Sequence, residues 1–259
     1  MRHILSFNNF KILIFFSLFA YLCAFSYGQS PLEVVKIDTF AKPWVAKAPL
    51  PKLRIGAQIG YSYRFILTPN NAQESMKDYI KKLRSNLGFG ADISYYFNNY
   101  IGLGLKYNGI SSNASTPNFP YLVTDELTGN IETYYALLSE RIGIHCVAPF
   151  FSVRYFAVPN KHCIFVNVGF GYTIYRNNTI DWFKGIVKKT GSTGAFFAEI
   201  GYDFLVTKYL AVGVQMSALI GSMKSVNITF NDITEKHKTE RRERNLSHID
   251  LTLGFRFYK

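Results

Sequence analysis

Two groups of residues in this sequence have the side chains that a nucleophilic hydrolase uses. Ser247, His248 and Asp250 form one group, and Glu140 and His145 with a nearby serine form the other. In such an enzyme the nucleophile and its base must come within hydrogen-bond reach of each other. His248 and Asp250 alternate onto one face of a strand, where two residues in this spacing lie about 7 Å apart. The sequence therefore predicts no catalytic residue, and an enzyme is the less favoured alternative.

A second set of polar residues carries charge and shares one side of its segments. Each member occupies a polar position in a stretch where apolar and polar residues alternate. If that side is enclosed, the charges must be paired, because an isolated buried charge is costly. The pattern predicts a structural network of salt bridges and hydrogen bonds, with a narrow polar channel or a ligand site as the alternative. The set comprises Arg54, Arg64, Lys106, Arg154 and Arg256 with Asp92, Glu199, Asp203 and Asp250.

The segments that position these charges have the pattern of β-strands. Eight stretches alternate with period two, and the clearest runs from Leu53 to Phe65, with Arg54 and Arg64 on its polar side. Glycines such as Gly56 and Gly60 share that polar side, and a glycine weakens a strand unless something must approach it closely. Small residues between charged ones fit the interior of a barrel of about eight strands, and the apolar side then faces lipid.

The predicted fold class is all-β, an eight-stranded antiparallel up-and-down transmembrane β-barrel over residues 53–259. In such barrels short turns are typical of the periplasmic end and long loops of the extracellular end. The third strand is predicted over residues 100–107, and a β-bulge near His145 lets Ile142 and Ile144 face outward. Short and long connections alternate along the chain, the short ones at 98–99, 157–162 and 207–208 and the long ones at 66–86, 111–131, 175–192 and 221–245.

Two further features are predicted for the ends of the barrel. In the first long connection Met76, Ile80 and Leu83 have helical spacing, which predicts a short amphipathic helix packed on the rim. Aromatic residues cluster near both ends of the strands, as in the interfacial girdles of membrane barrels. The predicted girdles comprise Tyr61, Tyr63, Phe65, Tyr107, Tyr172 and Tyr175 at one end and Phe97, Tyr100, Tyr155, Phe204, Tyr209, Phe257 and Tyr258 at the other.

The segment before the barrel has the features of an exported protein. Residues 1–28 combine basic residues, an apolar stretch at 12–25 and small residues, and the stretch is shorter than the roughly 20 residues of a membrane-spanning helix. These features predict a signal peptide. Residues 29–52 contain four prolines and little periodicity, which predicts an extended periplasmic leader.

The formal net charge of +12 raises the question of a polyanionic partner. Nucleic acid is not predicted, because no basic helix and no platform of aromatic and basic residues on a polar sheet face is present. Metal-ligand spacings and phosphate-binding glycine loops are also absent, so no cofactor is predicted. The excess charge lies in the long connections and predicts contact with lipopolysaccharide phosphates, a solvated loop being the alternative. The candidate contact residues are Lys184, Lys188, Lys189, Arg241, Arg242 and Arg244.

Two stretches carry a family resemblance, "PFFSVRYF…NKHCIFVNVGFGYTIYR" and the closing "DLTLGFRF". Together with the eight-strand rhythm, they resemble the small outer-membrane β-barrels of the OmpA/OmpX-like type, and among them the porin-family or PorT-like group. The resemblance covers residues 53–259. It implies the outer membrane of a Gram-negative bacterium, insertion by the barrel assembly machinery, and a structural or surface-interaction role. The alternatives that it implies are an accessory component of a secretion apparatus and, less favoured, a lipid A-modifying enzyme.

Overall fold

The computed structural model describes residues 50–68, 74–124, 129–158, 161–182, 185–239 and 245–259. The predicted signal peptide, residues 1–28, and the predicted leader up to residue 49 lie outside the described residues. So do four candidate polyanion contacts, namely Lys184, Arg241, Arg242 and Arg244. The described residues therefore cover most of the predicted barrel and residues 50–52 immediately before it.

Ten strands and one helix make up the described part of the chain. The strands are β1 (Leu53–Arg64), β2 (Ser85–Tyr96), β3 (Ile101–Thr124), β4 (Ile131–Val158), β5 (His162–Asp181), β6 (Gly185–Leu205), β7 (Leu210–Gly221), β8 (Ser225–Phe230), β9 (Ile233–Lys238) and β10 (His248–Tyr258). The helix, α1, covers Glu74–Arg84 and lies between β1 and β2.

Eight of these strands form a closed antiparallel ring. Strands β1 to β7 pair each with the next along the chain, and β10 lies between β7 and β1 and closes the ring. Closure gives every strand two neighbours, so the backbone hydrogen bonds are satisfied without water. Strands β8 and β9 form a hairpin outside the ring, attached near the start of β6 through Lys188–Thr190. The predicted eight-stranded up-and-down barrel is confirmed.

The outer surface of the ring is an apolar belt. Along β10 every outward-facing residue from Ile249 to Phe257 is apolar, and Phe255 is 65% exposed. Such a surface is stable only against lipid, since a soluble protein rarely exposes a contiguous apolar patch of this extent. No helix in the described part of the chain is long and apolar enough to cross a membrane. Two residues of the predicted girdles, Tyr175 and Tyr258, instead lie inside the ring and are fully buried, because strand alternation places them on the inward face.

The two ends of the ring differ in how the strands are joined. At one end, tight turns follow β2, β4 and β6, and two of them are held by a side chain that accepts backbone hydrogen bonds. Asn98 Oδ1 accepts from the amides of Tyr100 and Ile101, and Thr207 Oγ1 accepts from that of Leu210. The start of β1 and the end of β10 lie at this same end, where Leu53 and Lys259 exchange backbone hydrogen bonds. We call it the short-turn end.

Strands at the other end are longer than the sequence pattern predicts. The predicted third strand, residues 100–107, is β3 and reaches Thr124, and β5 and β6 pair from Asp181↔Gly185 onward. Most of the predicted loops 111–131 and 175–192 is therefore strand. The apolar alternation stops because the outward residues beyond the belt, such as Ser111 and Asn113, face water and not lipid, while the backbone pairing continues.

The β-bulge predicted near His145 is absent from β4. Pairing with β3 runs without a shift from Ile101↔Val153 to Thr116↔Leu138, and the shift in that pair of strands follows Thr116. Ile142 and Ile144 consequently face inward and are buried. They belong to an apolar cluster inside the ring, which explains why apolar residues occupy the inward phase there.

Helix α1 provides the centre of that cluster, which we call the apolar cap. Its residues Tyr79, Ile80 and Leu83 are 1% exposed, and Met76 packs against them. The helix predicted from the spacing of Met76, Ile80 and Leu83 is confirmed. The cap also contains inward-facing residues from several strands and loops: Ile66, Ile110, Ala114, Leu138, Ile142, Ile144, Tyr175, Met223, Val226 and Leu246.

Candidate functional site

The interior of the ring near the short-turn end holds a cluster of four charged residues. Arg54 donates from Nε to Asp203 at 3.0 Å and from a terminal nitrogen to Asp92, and its guanidinium lies 4.0 Å from the centre of the Phe165 ring. Arg256 Nε lies 3.5 Å from the second oxygen of Asp203. All four charged side chains are buried. Asp203 is thus shared by two guanidinium groups that come from the neighbouring strands β1 and β10.

A second ion pair lies further along the interior. Lys106 pairs with Glu199, and the same carboxylate accepts hydrogen bonds from Asn167 at 2.8 Å and from Gln215 at 3.0 Å. The donors come from β3, β5 and β7 and converge on a residue of β6. Gln58 joins this pair to the first cluster: with its amide nitrogen facing Asp92 at 3.3 Å, its oxygen lies 3.2 Å from Lys106 Nζ.

A third polar group, centred on Asp250, lies between the ion pairs and the apolar cap. Its carboxylate accepts from Asn108 at 2.8 Å and from Ser217 at 3.1 Å, and His248 Nε2 lies 3.6 Å away. Arg64 is buried opposite His248 in the register of β1 and β10. The structure thus places all nine predicted charges inside the ring, and eight of the nine contribute to these three successive groups.

Arg154, the ninth charge, is buried at the short-turn end. Its guanidinium donates to the backbone carbonyls of Asn99 and Pro51 and stacks on the Tyr96 ring, 3.6 Å from the ring centre. Leu50 packs beside it on an apolar cluster that includes Phe156, Leu205 and Tyr258. Arg154 therefore holds residues 50–52, which precede β1, against the short-turn end of the barrel.

Glycines make room for the buried carboxylates. A Cβ on Gly213 would lie 2.0 Å from Asp203 Oδ1, and one on Gly56 would lie 2.8 Å from Asp92 Oδ2. Both distances are too short for any side chain. Gly56 and Gly213 are thus needed because the carboxylates of Asp92 and Asp203, on neighbouring strands, lie over them.

A further residue, which bonds to the first cluster, could have been predicted from the strand pattern. Tyr258 donates from its hydroxyl to Asp203 at 2.6 Å, although its position near the chain end suggests an interfacial girdle. Phe257 faces outward, so strict alternation puts Tyr258 inside. The phase of the strand was therefore a better guide than the residue type.

The two groups with hydrolase-type side chains do not assemble into a catalytic site. Ser247 Oγ is bonded to the backbone of Gly221, whereas His248 Nδ1 is 3.0 Å from the Leu246 carbonyl and buried in the interior. Glu140 is buried inside the ring, while His145 bonds to the Tyr107 hydroxyl at 2.8 Å on the outer wall. No group of three His, Cys, Asp or Glu residues in the described ranges could hold a metal ion.

Several solved structures share this fold. A major outer membrane protein from Thermus thermophilus aligns with a TM-score of 0.51 at 8% identity, over 80% of this chain and 98% of that one. The fold is that of an outer-membrane β-barrel. OprG from Pseudomonas aeruginosa aligns at 0.45 with 10% identity, over 82% and 98% of the two chains, and Ail from Yersinia pestis at 0.40 with 11% identity, over 80% and 98%. No family model matches this outer-membrane barrel, and neither does any curated protein.

Proposed function

We propose that this protein is a closed outer-membrane barrel with a structural or surface-interaction role, and that its interior conducts nothing. The observation that supports this proposal is the continuous filling of the described interior. The interior is filled in five successive layers. Counted from the short-turn end, these are Arg154 with its backbone partners, the four charged residues around Asp203, the Lys106–Glu199 pair, the polar group around Asp250, and the apolar cap. An interior closed in this way leaves the outer surface and the ends of the barrel as the places where the protein acts.

Paired charges fit a plug better than an ion pathway. A conducting lumen needs water beside its charged groups, whereas Arg54, Asp92, Asp203 and Arg256 are each nearly inaccessible and bond to one another. Removing one partner would leave a buried charge uncompensated. We therefore assign the network to stability and not to selectivity.

We also propose that basic residues at the outer end of the barrel contact phosphate groups of lipopolysaccharide. Of the six candidate cations, Lys188 and Lys189 lie in the described residues, on the part of β6 that extends beyond the belt. Lys188 is exposed and Lys189 is half-buried. The proposed function includes neither catalysis nor binding of nucleic acid. We also propose that the barrel assembly machinery inserts the chain into the membrane.

An accessory role in a secretion or transport apparatus is the second candidate. It is favoured by apolar side chains that remain exposed where the strands extend beyond the belt. Trp182 is 73% exposed and Ile186 is 63% exposed, with Ile180 and Leu137 nearby on the paired strands. Exposed apolar patches with polar surroundings mark protein contacts. The PorT-like resemblance agrees with such a role, in which the protein binds a partner of the apparatus.

Two measurements test these proposals. Purified protein in planar bilayers should give no steady conductance, with a known open porin as the positive control, and a large stable conductance would refute the plug. Crosslinking in cells should capture the same protein partner with the native chain and with a Lys81→Gln control. Loss of that partner from a Trp182→Ser, Ile186→Ser variant would favour the apparatus role, and retention would argue against the patch as its binding surface.

A further inference from the structure

Three cations lie together on the outer wall of the barrel, just above the apolar belt. Along β5 the outward-facing residues are apolar from Ile164 to Ile174, and the next outward residue is Arg176. Arg141 on β4 and Lys188 on β6 also face outward and are exposed. The change from apolar to charged residues marks the level at which the hydrocarbon of the membrane ends and the lipid headgroups begin.

The strand register brings the three side chains around one residue. Asn178 on β5 is paired with Arg141 on one side and with Lys188 on the other. Arg176 lies two residues before Asn178, on the same face. Diagonal neighbours of this kind are about 7–8 Å apart, which is within reach of long side chains. Three flexible cationic groups can therefore meet over a single anion.

Within the part of the chain that the structure describes, the cluster has no counter-charge on its own face. The outward-facing described residues beside it carry no negative charge: Asn113, Ser139, Gly143, His145, Asn178, Thr190 and Thr229. Glu140 precedes Arg141 in sequence, but its side chain is buried inside the ring. Like charges this close repel one another, so an external anion would stabilise the cluster.

One of the cations is already oriented by the protein. Arg141 Nε donates to Asn113 Oδ1 at 3.2 Å, across the pairing of β3 with β4. This bond uses the Nε donor, so the two terminal nitrogens of the guanidinium are the donors that can bind an anion. Guanidinium groups bind phosphate oxygens through paired hydrogen bonds. Below the cluster, Tyr172 and Ile174 continue the apolar belt, where an acyl chain can lie.

We propose that Arg141, Arg176 and Lys188 bind a phosphate group of a phosphorylated lipid in the outer leaflet. The proposal rests on the function given above, since it needs the barrel to lie in an outer membrane, and it moves the polyanion contact from the loops to the wall. The lipid phosphate supplies the missing negative charge, and its acyl chains lie along the belt beneath it.

The test is calorimetric titration of the detergent-solubilised protein with diphosphorylated lipid A. The triple variant Arg141→Gln, Arg176→Gln, Lys188→Gln should bind about tenfold more weakly, because three charge-assisted contacts are lost. A matched control, Lys52→Gln, Lys161→Gln, Lys208→Gln, removes three exposed cations at the short-turn end, away from the cluster, and should bind as the native chain does. Dephosphorylated lipid A should bind as weakly to the native chain as diphosphorylated lipid A binds to the triple variant, and equimolar inorganic phosphate should not displace the lipid.

Several outcomes would overturn the proposal. Equal binding by the triple variant and the native chain would do so, as would an equal loss in the control variant or tight binding of dephosphorylated lipid A. Displacement by inorganic phosphate would show a general anion site and not a lipid site. Each variant is checked by its shifted migration on a gel before boiling, which reports the closed barrel. If the triple variant lacks that shift, the single variant Arg176→Gln is used, with about a threefold loss expected. Absence of the shift in the native chain would refute the barrel function itself.

Discussion

Replacement of Asp203 by asparagine tests whether the interior charges hold the barrel together. The asparagine keeps the shape of the side chain and removes its charge. In the native structure Asp203 accepts hydrogen bonds from Arg54 at 3.0 Å and from Tyr258 at 2.6 Å and lies 3.5 Å from Arg256. After the change, Asp92 is the remaining carboxylate of the cluster, and it faces two guanidinium groups that are both fully buried.

The expected cost follows from those contacts. Removing one partner of a buried ion pair costs about 3–5 kcal/mol, because the other charge stays desolvated without compensation. Loss of the charge also weakens the hydrogen bond from Tyr258, since bonds to charged acceptors are stronger than bonds to neutral ones. We therefore expect Asp203→Asn to lower the free energy of unfolding by about 3–5 kcal/mol.

The assay is urea unfolding in lipid vesicles, followed by the loss of the fast-migrating band on unboiled gels. The matched control is Asp232→Asn, an identical chemical change at an exposed position of the β8–β9 turn. Its left-handed backbone suits asparagine, so a change within about 0.5 kcal/mol is expected. Adding Arg256→Gln to Asp203→Asn should restore part of the stability, because it removes one unpaired cation. An Asp203→Asn barrel as stable as the control would refute the reasoning that the buried charges need this carboxylate.

Three other predictions concern packing and topology. Gly213→Ala should strongly lower the free energy of unfolding in the same urea assay, because the new Cβ would lie 2.0 Å from Asp203 Oδ1. Gly88→Ala is the control and should lower it less, because its Cβ would lie 3.3 Å from Ser62 Cβ. Leu83→Ala in the apolar cap should cost about 2–5 kcal/mol, against a small effect for the exposed Leu67→Ala, and equal effects would argue against a packed cap. A membrane-impermeant amine reagent added to intact cells should label Lys236 and Lys238 but not Lys208, which lies at the short-turn end. The labelled lysines are identified by mass spectrometry. Labelling of Lys208 alone would show that the barrel has the opposite orientation.

Much of the barrel could be predicted from the sequence, because lipid imposes a strict rule on the strands. Within the belt, one face of each strand must be apolar, so the period-two pattern gave the strand phase and the inward position of residues such as Arg54 and Asp203. The helix α1 was likewise visible from Met76, Ile80 and Leu83. Where the strands leave the belt, water accepts polar residues on the outer face, and the pattern no longer reports the strand. The lengths of β3 and β5 were missed for this reason.

The same physics explains the error at His145. Apolar residues at Ile142 and Ile144 suggested an outward face, since lipid is the usual reason for apolar residues in a membrane strand. Their real partner is the helix inside the ring, which arrives from a much earlier connection in the chain, between β1 and β2. No local pattern can distinguish an apolar residue that meets lipid from one that meets an internal cap.

The sequence by itself determined that this chain forms a membrane barrel with a charged interior, because alternation and composition are local consequences of lipid on one face. Only the tertiary structure decided which charges meet. Asp203 pairs with both Arg54 and Arg256, and Glu199 pairs with Lys106, because the ring places β1, β3, β6 and β10 around a common interior. The outer-wall cluster likewise exists only through the register of β4, β5 and β6. Pairing across strands depends on register and closure, and these are properties of the whole ring and not of any one segment.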